Sequence, residues 1–371
     1  MSVRATLIAV IIAFIVGGVA TLAVRPPTHQ SSGTGDVEST PSDQTLGEIS
    51  WQLPVSFQTS LEVLGDNIVF VRDAVGDLTQ GKFQLQIYEP NEIVPPLEIS
   101  GAVRTGKVPI GYTWLGYDQG KIPASPLFGA VPFGMEPWEF SAWWFNGGGR
   151  ELAEELYREE NLKVLLCGML GPETAGWFRK PIESLDDLVG LKIRFAGLGG
   201  KVIERVGASV TMLAGSEIFQ ALEKGAIDAT EYSLPNIDAA LGFDRVAKLN
   251  YFPGWHQVFT SVHMLVNLDS WDGLPEQYKS SLEVACTAGV TRNFAHAEAI
   301  QGAVLDSFEE KGITANRLPD DILRELQRVA VEVMVEEAEK NEWFARVYES
   351  QKEFRADYGK WKRLAYLPRD F

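Results

Sequence analysis

Short apolar strands alternate with helical segments from Ile49 onward, and no other feature limits the possible folds as strongly. Residues 49–53, 83–88 and 108–113 read as strands, with apolar and polar residues alternating at period two across 83–88. Residues 61–78 and 97–105 carry apolar side chains three and four apart and read as helices. The pattern then restarts, with a helix over 138–160 and a strongly apolar strand over 162–169. Strands at 192–195 and 227–232 follow, with helices at 201–206 and 216–224, the latter stopped by Gly225. Beyond 263–267 the chain is mostly helical: one helix from 274 through 311 with almost no breaker, then 320–339 and 344–364. There is no short internal repeat. Alternation of this kind implies parallel βαβ units with covered sheets. Two such sheets joined by few crossings leave a cleft, and ligands of open α/β sheets sit beyond the carboxyl ends of the strands. The places to inspect are the loops after Ile87, Thr113, Met169, Arg194 and Ala229.

The first forty-five residues do not fit this pattern. Arg4 precedes an apolar run, residues 5–24, with no charge before Arg25, and Gly18, Val19 and Ala20 offer small side chains for cleavage. Twenty apolar residues can also span a bilayer, so both a cleaved signal and an uncleaved anchor stay open. Either way the rest of the chain is expected to be exported. Residues 26–47, rich in Ser, Thr, Pro and Gly, read as a flexible tether. The remaining length suits about two domains. The expected division is one lobe from 48–164 with 255–290, a second from 165–254 with 291–319, and a helical segment over 320–371.

Charge and motifs exclude several functions. With 33 Lys plus Arg against 50 Asp plus Glu, the net charge of −17 argues against nucleic acid as a partner. The two cysteines, Cys167 and Cys286, cannot form a zinc or iron–sulfur cluster, and free buried thiols are expected. No nucleophile elbow, His-Glu-x-x-His zinc motif or dinucleotide fingerprint is present. Gly197-Leu198-Gly199-Gly200-Lys201 lacks the phosphate-loop spacing, although such a turn can present backbone N–H groups to an anion. His29 lies in the tether. His256, His263 and His296 lack metal-ligand spacing and read as core or surface histidines.

Arg194 ends an apolar strand just before the glycine-rich turn. A guanidinium there can hold a carboxylate through two parallel hydrogen bonds, or form a structural ion pair with a nearby acid. Glu231-Tyr232, after a strand, offers a carboxylate followed by a carbonyl, which suits a hard cation. Glu173 lies beyond another apolar strand. For both glutamates a solvated loop position is the commoner alternative.

Taken together, the segments resemble the extracytoplasmic solute-binding proteins of TRAP transporters, most closely the subgroup that binds 2-oxo acids or lactate with a metal ion. The resemblance runs over about 49–364. It rests on Glu92-Ile93-Val94-Pro95, Ala130-Val131-Pro132-Phe133-Gly134, Gly176-Trp177-Phe178-Arg179-Lys180 and Gly190-Leu191-Lys192-Ile193-Arg194. Three more segments continue the order: Gly197 to Gly200, Ala221 to Ala229, and Tyr251-Phe252-Pro253-Gly254-Trp255-His256. It implies a two-lobed, periplasmic-binding-protein-like α/β fold with a ligand cleft between the lobes, a long lobe-spanning helix and a helical C-terminal tail. It also implies delivery of a small monocarboxylate to integral-membrane permease subunits, without catalysis. Arg194, Gln257 and Tyr117 are then expected on the substrate, and Glu173, Glu231 and the Tyr232 carbonyl on the metal, Ca²⁺ or Na⁺. Three positions depart from the family pattern. Tyr232 replaces a Trp, Glu173 replaces a Gln, and Gln257 replaces a Glu. Two metal-facing carboxylates favour Ca²⁺. A secreted metal-dependent enzyme acting on oxo acids and a membrane-tethered sensor are the competing classes.

The apolar stripe Ile322, Leu323, Leu326, Val329, Ala330, Val333 and Met334 can pack back on the lobes or against a second copy. The aromatics after it, and subgroup members that pair through an extended C-terminal helix, incline the reading to a homodimer.

Overall fold

The computed structural model describes residues 46–367. The expected signal or anchor at 1–25 and the tether up to residue 45 lie outside the described residues. Among the described residues no helix is long and apolar enough to cross a membrane.

Two lobes are built on separate sheets. In the first, β1 (Ile49–Pro54) and β2 (Phe83–Tyr88) pair in parallel, Ile49 opposite Phe83 and Pro54 opposite Tyr88. The helix Asp66–Leu78 crosses between them and buries Ile68, Val71 and Val75. β3 (Ile110–Thr113) and β4 (Leu162–Leu170) flank β10 (Thr260–Asn267), antiparallel on both sides, and a Val55–Tyr112 bridge ties β1 to β3. Every residue of β4 and β10 is buried, which is why β4 reads as a nearly continuous apolar run rather than an alternating one. The second lobe adds β5 (Gly176–Phe178), β6 (Lys192–Arg194), β7 (Ser209–Thr211), β8 (Ala229–Thr230), β9 (Leu249–Phe252) and β11 (Thr314–Arg317). Their sheet order is β11-β9-β5-β8-β6-β7.

The helix Glu276–Glu310 has 35 residues, a length of about 52 Å at 1.5 Å per residue. It packs on β4 and on Asp66–Leu78 in the first lobe and reaches β11 in the second. Close approach to β4 depends on Gly289, where a Cβ would stand 2.5 Å from the Cys167 carbonyl oxygen. The expectation of two free thiols is corrected at this contact, because Cys167 of β4 and Cys286 of the helix form a disulfide. Their separation of 119 residues conceals a juxtaposition that only the helix–strand packing creates.

Two helices close the described chain, Asp320–Lys340 and Glu342–Ala365. Here the expected dimer stripe is corrected. Ile322, Leu326, Val329, Ala330 and Val333 are buried in the second lobe's core with Val202 and Ile203. Met334, Phe344 and Val347 join the first lobe's core with Trp143 and Trp144. The stripe fastens the tail to its own chain.

Smaller corrections have local causes. The helix expected over 138–160 breaks into Pro137–Asn146 and Gly149–Glu159 at Gly148, whose φ of +86° interrupts the helical path. The helix expected from residue 61 starts only at Asp66, whose carboxylate accepts from the Val63 N–H at 2.8 Å. The strand expected over 227–232 shortens to Ala229–Thr230, and the glycine-rich turn is the first turn of a helix, Gly197–Arg205.

Candidate functional site

Strand ends from both sheets converge on one cavity between the lobes, and all six residues expected at a site line it. β6 delivers Arg194 and Ala196, and β8 delivers Glu231, Tyr232 and Ser233. The crossing from β4 to β5 carries Glu173, the crossing from β9 to β10 carries Gln257, and β10 opens with Thr260. The first lobe supplies Tyr117 and Trp114 after β3, Phe57 after β1, and Leu64. The polar groups therefore sit on the second lobe and the two crossings, and the apolar wall on the first lobe.

Arg194 is 1% exposed and Glu231 0%, so neither is the solvated loop residue that composition favours. Arg194 Nη1 donates to Glu231 Oε1 at 2.8 Å and to the Glu231 carbonyl oxygen at 2.7 Å. Its Nε donates to the Leu213 carbonyl at 3.2 Å. Two guanidinium nitrogens, Nε and Nη1, thus hold the fold, and every hydrogen bond given for Arg194 comes from them. The Tyr232 ring stands 5.2 Å from the guanidinium carbon, a cation–π contact that needs no second acid. Burial disfavours the Glu231 anion, but Arg194, His256 and the Ala196 N–H outweigh it and hold the carboxyl below its usual range.

Glu173 is also buried. Thr260 Oγ1 donates to its Oε1 at 2.7 Å, and Gln257 Nε2 donates to its Oε2. The amide and carboxylate that exchange places relative to the family pattern thus bond to each other. Burial raises the Glu173 carboxyl, and the donors and His256 offset only part of that. His256 lies between the acids, its Nε2 3.4 Å from Glu231 Oε2 and 3.7 Å from Glu173 Oε2. Neither ring nitrogen makes a hydrogen bond among the described residues, so the attraction is electrostatic. Burial alone would lower the imidazole; the two carboxylates overcome this and raise it to about 9. Burial pushes the Tyr117 phenol up to about 12, so it is a neutral donor.

Glu173, Glu231 and His256 offer ligand atoms within 4.8 Å of one another. Glu231 Oε2 and Gln257 Oε1 are buried without hydrogen-bond partners among the described residues, Glu231 Oε2 having only the His256 imidazole 3.4 Å away. Buried oxygen acceptors of this kind are costly unless a donor or cation satisfies them. Two carboxylates and an amide oxygen fit a hard cation such as Ca²⁺ or Na⁺. Such an ion would supply positive charge for an anionic ligand.

His256 corrects the expectation of an ordinary histidine, although His263 and His296 follow it: His263 is buried in β10, and His296 pairs with Glu62 on the surface. The aromatic wall and Thr260 also escape sequence reasoning. The only available signal for the wall was position after a strand end, since Phe57 and Trp114 look like core residues.

Comparison with known proteins follows the same lines. The model of bacterial extracellular solute-binding protein family 7 matches residues 57–341. A monocarboxylate 2-oxoacid-binding periplasmic protein of Nostoc sp. is 34% identical over 323 residues, covering 87% of this chain and 88% of that protein. A TRAP transporter solute-binding protein of Bordetella bronchiseptica, crystallised as a mixed-occupancy dimer with calcium and picolinate in one site, is 31% identical. It superposes with a TM-score of 0.84 over 86% of this chain and 95% of that one. A periplasmic TRAP solute-binding protein of Pseudoalteromonas atlantica, with bound sodium and pyruvate, is 28% identical. Its TM-score is 0.82, over 86% of this chain and 97% of that one.

Proposed function

The chain belongs to family 7 of the bacterial extracellular solute-binding proteins, and on that premise we propose that it captures a small 2-oxo or 2-hydroxy monocarboxylate with a metal ion for a TRAP-type permease. The observation that carries this reading is the convergence of Arg194 with two buried carboxylates in one enclosed cleft. Anionic side chains would repel an acid unless a cation intervened, and Glu173, Glu231 and the Gln257 oxygen would hold one. The Tyr232 carbonyl completes the set that the family resemblance implies. Arg194 then meets the ligand carboxylate through Nη2 alone rather than through a two-nitrogen fork, with Tyr117 donating from the first lobe.

Family relatives are periplasmic receptors. We assign this chain the same compartment, with residues 5–24 as its export segment or anchor, and no catalysis. The lobe boundary is best drawn after Leu170, where β4 ends, rather than at 164. A homodimer is retained on different ground. The end of the last helix and the residues just after it expose Trp361, Leu364 and Leu367, the last two 88% and 76% accessible, and the Bordetella relative crystallised as a dimer.

Calorimetric titration of chelator-treated protein tests the metal–acid coupling. Pyruvate should bind weakly until calcium or sodium is added, and the ion should bind more tightly in the presence of pyruvate by the same factor. Glu231→Gln, which keeps an acceptor for Arg194 but removes the charge, should reproduce the stripped behaviour. Identical pyruvate isotherms with and without metal would refute the bridge. Conversion of the acid on the protein would refute a receptor role.

A further inference from the structure

We infer that Trp114 sets the length of carbon chain the cavity accepts, and is the specificity-determining residue on the first lobe. This rests on the carboxylate reading above. The head of the acid is held by the second lobe and the crossings, so its tail must point toward Phe57, Leu64, Tyr117 and Trp114. The indole among these is closely confined. A Cβ at Gly116 would fall onto its six-membered ring, one at Gly129 would stand 2.7 Å from Nε1, and one at Gly197 would stand 2.9 Å from Cη2. The ring fills space that three glycines leave open, and one of them, Gly197, belongs to the opposite lobe. Tyr117 packs edge-on against it with centroids 5.2 Å apart.

Trp114 Nε1 is buried and makes no hydrogen bond among the described residues, so packing alone fixes the ring. An apolar plate that cannot move aside behaves as a stop. Each methylene buried in front of it adds affinity, and the first that would overlap it loses affinity steeply. Contact with Gly197 also makes the plate a cross-lobe contact, so a tail too long for it would oppose closure of the cleft.

The test is calorimetry with calcium present and pyruvate, 2-oxobutanoate, 2-oxopentanoate and 2-oxohexanoate as probes. Wild-type affinity should rise about fourfold per added methylene, the equivalent of ~0.8 kcal/mol, up to one length and then drop. Trp114→Phe, a smaller ring, should move that maximum to a longer acid. Gly129→Ala keeps ordinary backbone geometry and displaces the ring. With Gly116 and Gly197 closing the other sides, the ring moves into the cavity and the maximum should move to a shorter acid. The same order of affinities in wild type and both variants overturns the inference alone. Failure of wild-type protein to bind any of the four acids overturns the proposed function and this inference with it.

Discussion

Arg194 and Glu231 form the buried ion pair that sequence inspection sets beside a ligand role, and they form it with each other. Each was visible as a charged residue at a strand end, but their bond to one another was not, because 37 residues separate them and only the parallel β6–β8 pairing brings them together. His256 was less legible still, since its role depends on two acids brought from other loops. Its titration carries a prediction for the metal-free protein. The folded imidazole is raised from 6.5 to about 9, so the charged form is favoured by folding. The resulting stabilisation is fully present below pH 6.5 and lost as pH rises toward 9, by ~3 kcal/mol. Glu173, raised by burial, acts in the same sense, whereas the stabilisation from Glu231 is lost only as pH falls through its lowered range. Urea unfolding of chelated protein from pH 6 to 10 measures this. His256→Gln should flatten the curve, and a wild-type curve already flat would contradict the assignment.

The long and strongly patterned elements were the legible ones. The helix Glu276–Glu310 was expected from 274 through 311, and β4 announced itself by nearly continuous apolar sequence. The strands β5, β7, β9 and β11 were not read from the sequence. Three or four residues give too little periodicity, and their stability comes from partners distant in sequence. The contact between the long helix and β4 was equally hidden, and it supports a direct test. Gly289→Ala would place a methyl against the Cys167 carbonyl oxygen and force the helix away from the strand. A loss of about 1–3 kcal/mol is expected, as for other overpacked interiors. Thermal unfolding under oxidising and reducing conditions measures it and separates the packing cost from the effect of the Cys167–Cys286 link. An unchanged melting temperature would show that the two elements are not in such close contact.

The tail changes what the whole molecule can do with a second copy. Because Ile322 to Val333 are buried against the chain's own lobes, removing everything after Pro319 would strip the core rather than report on pairing. The informative change is Trp361→Glu with Leu364→Glu at the exposed helix end. Light scattering is expected to give a dimer mass for the unaltered protein and a monomer mass for the variant, with identical far-ultraviolet circular dichroism. A monomer in both cases would end the dimer reading. The cavity has a different lesson at this scale. Glu173 accepts bonds from Thr260 and Gln257, and its N–H reaches the Gln257 carbonyl at 3.2 Å, so the β4–β5 and β9–β10 crossings are knotted together at the polar end of the site. A change of charge there alters joints as well as ligand contacts. Phe57 and Leu64 of the apolar wall take no part in those joints, whereas Trp114 reaches Gly197 across the cleft. New diets in descendants of this protein should therefore arise first through Phe57 and Leu64, where selection can reshape appetite without relearning how to close.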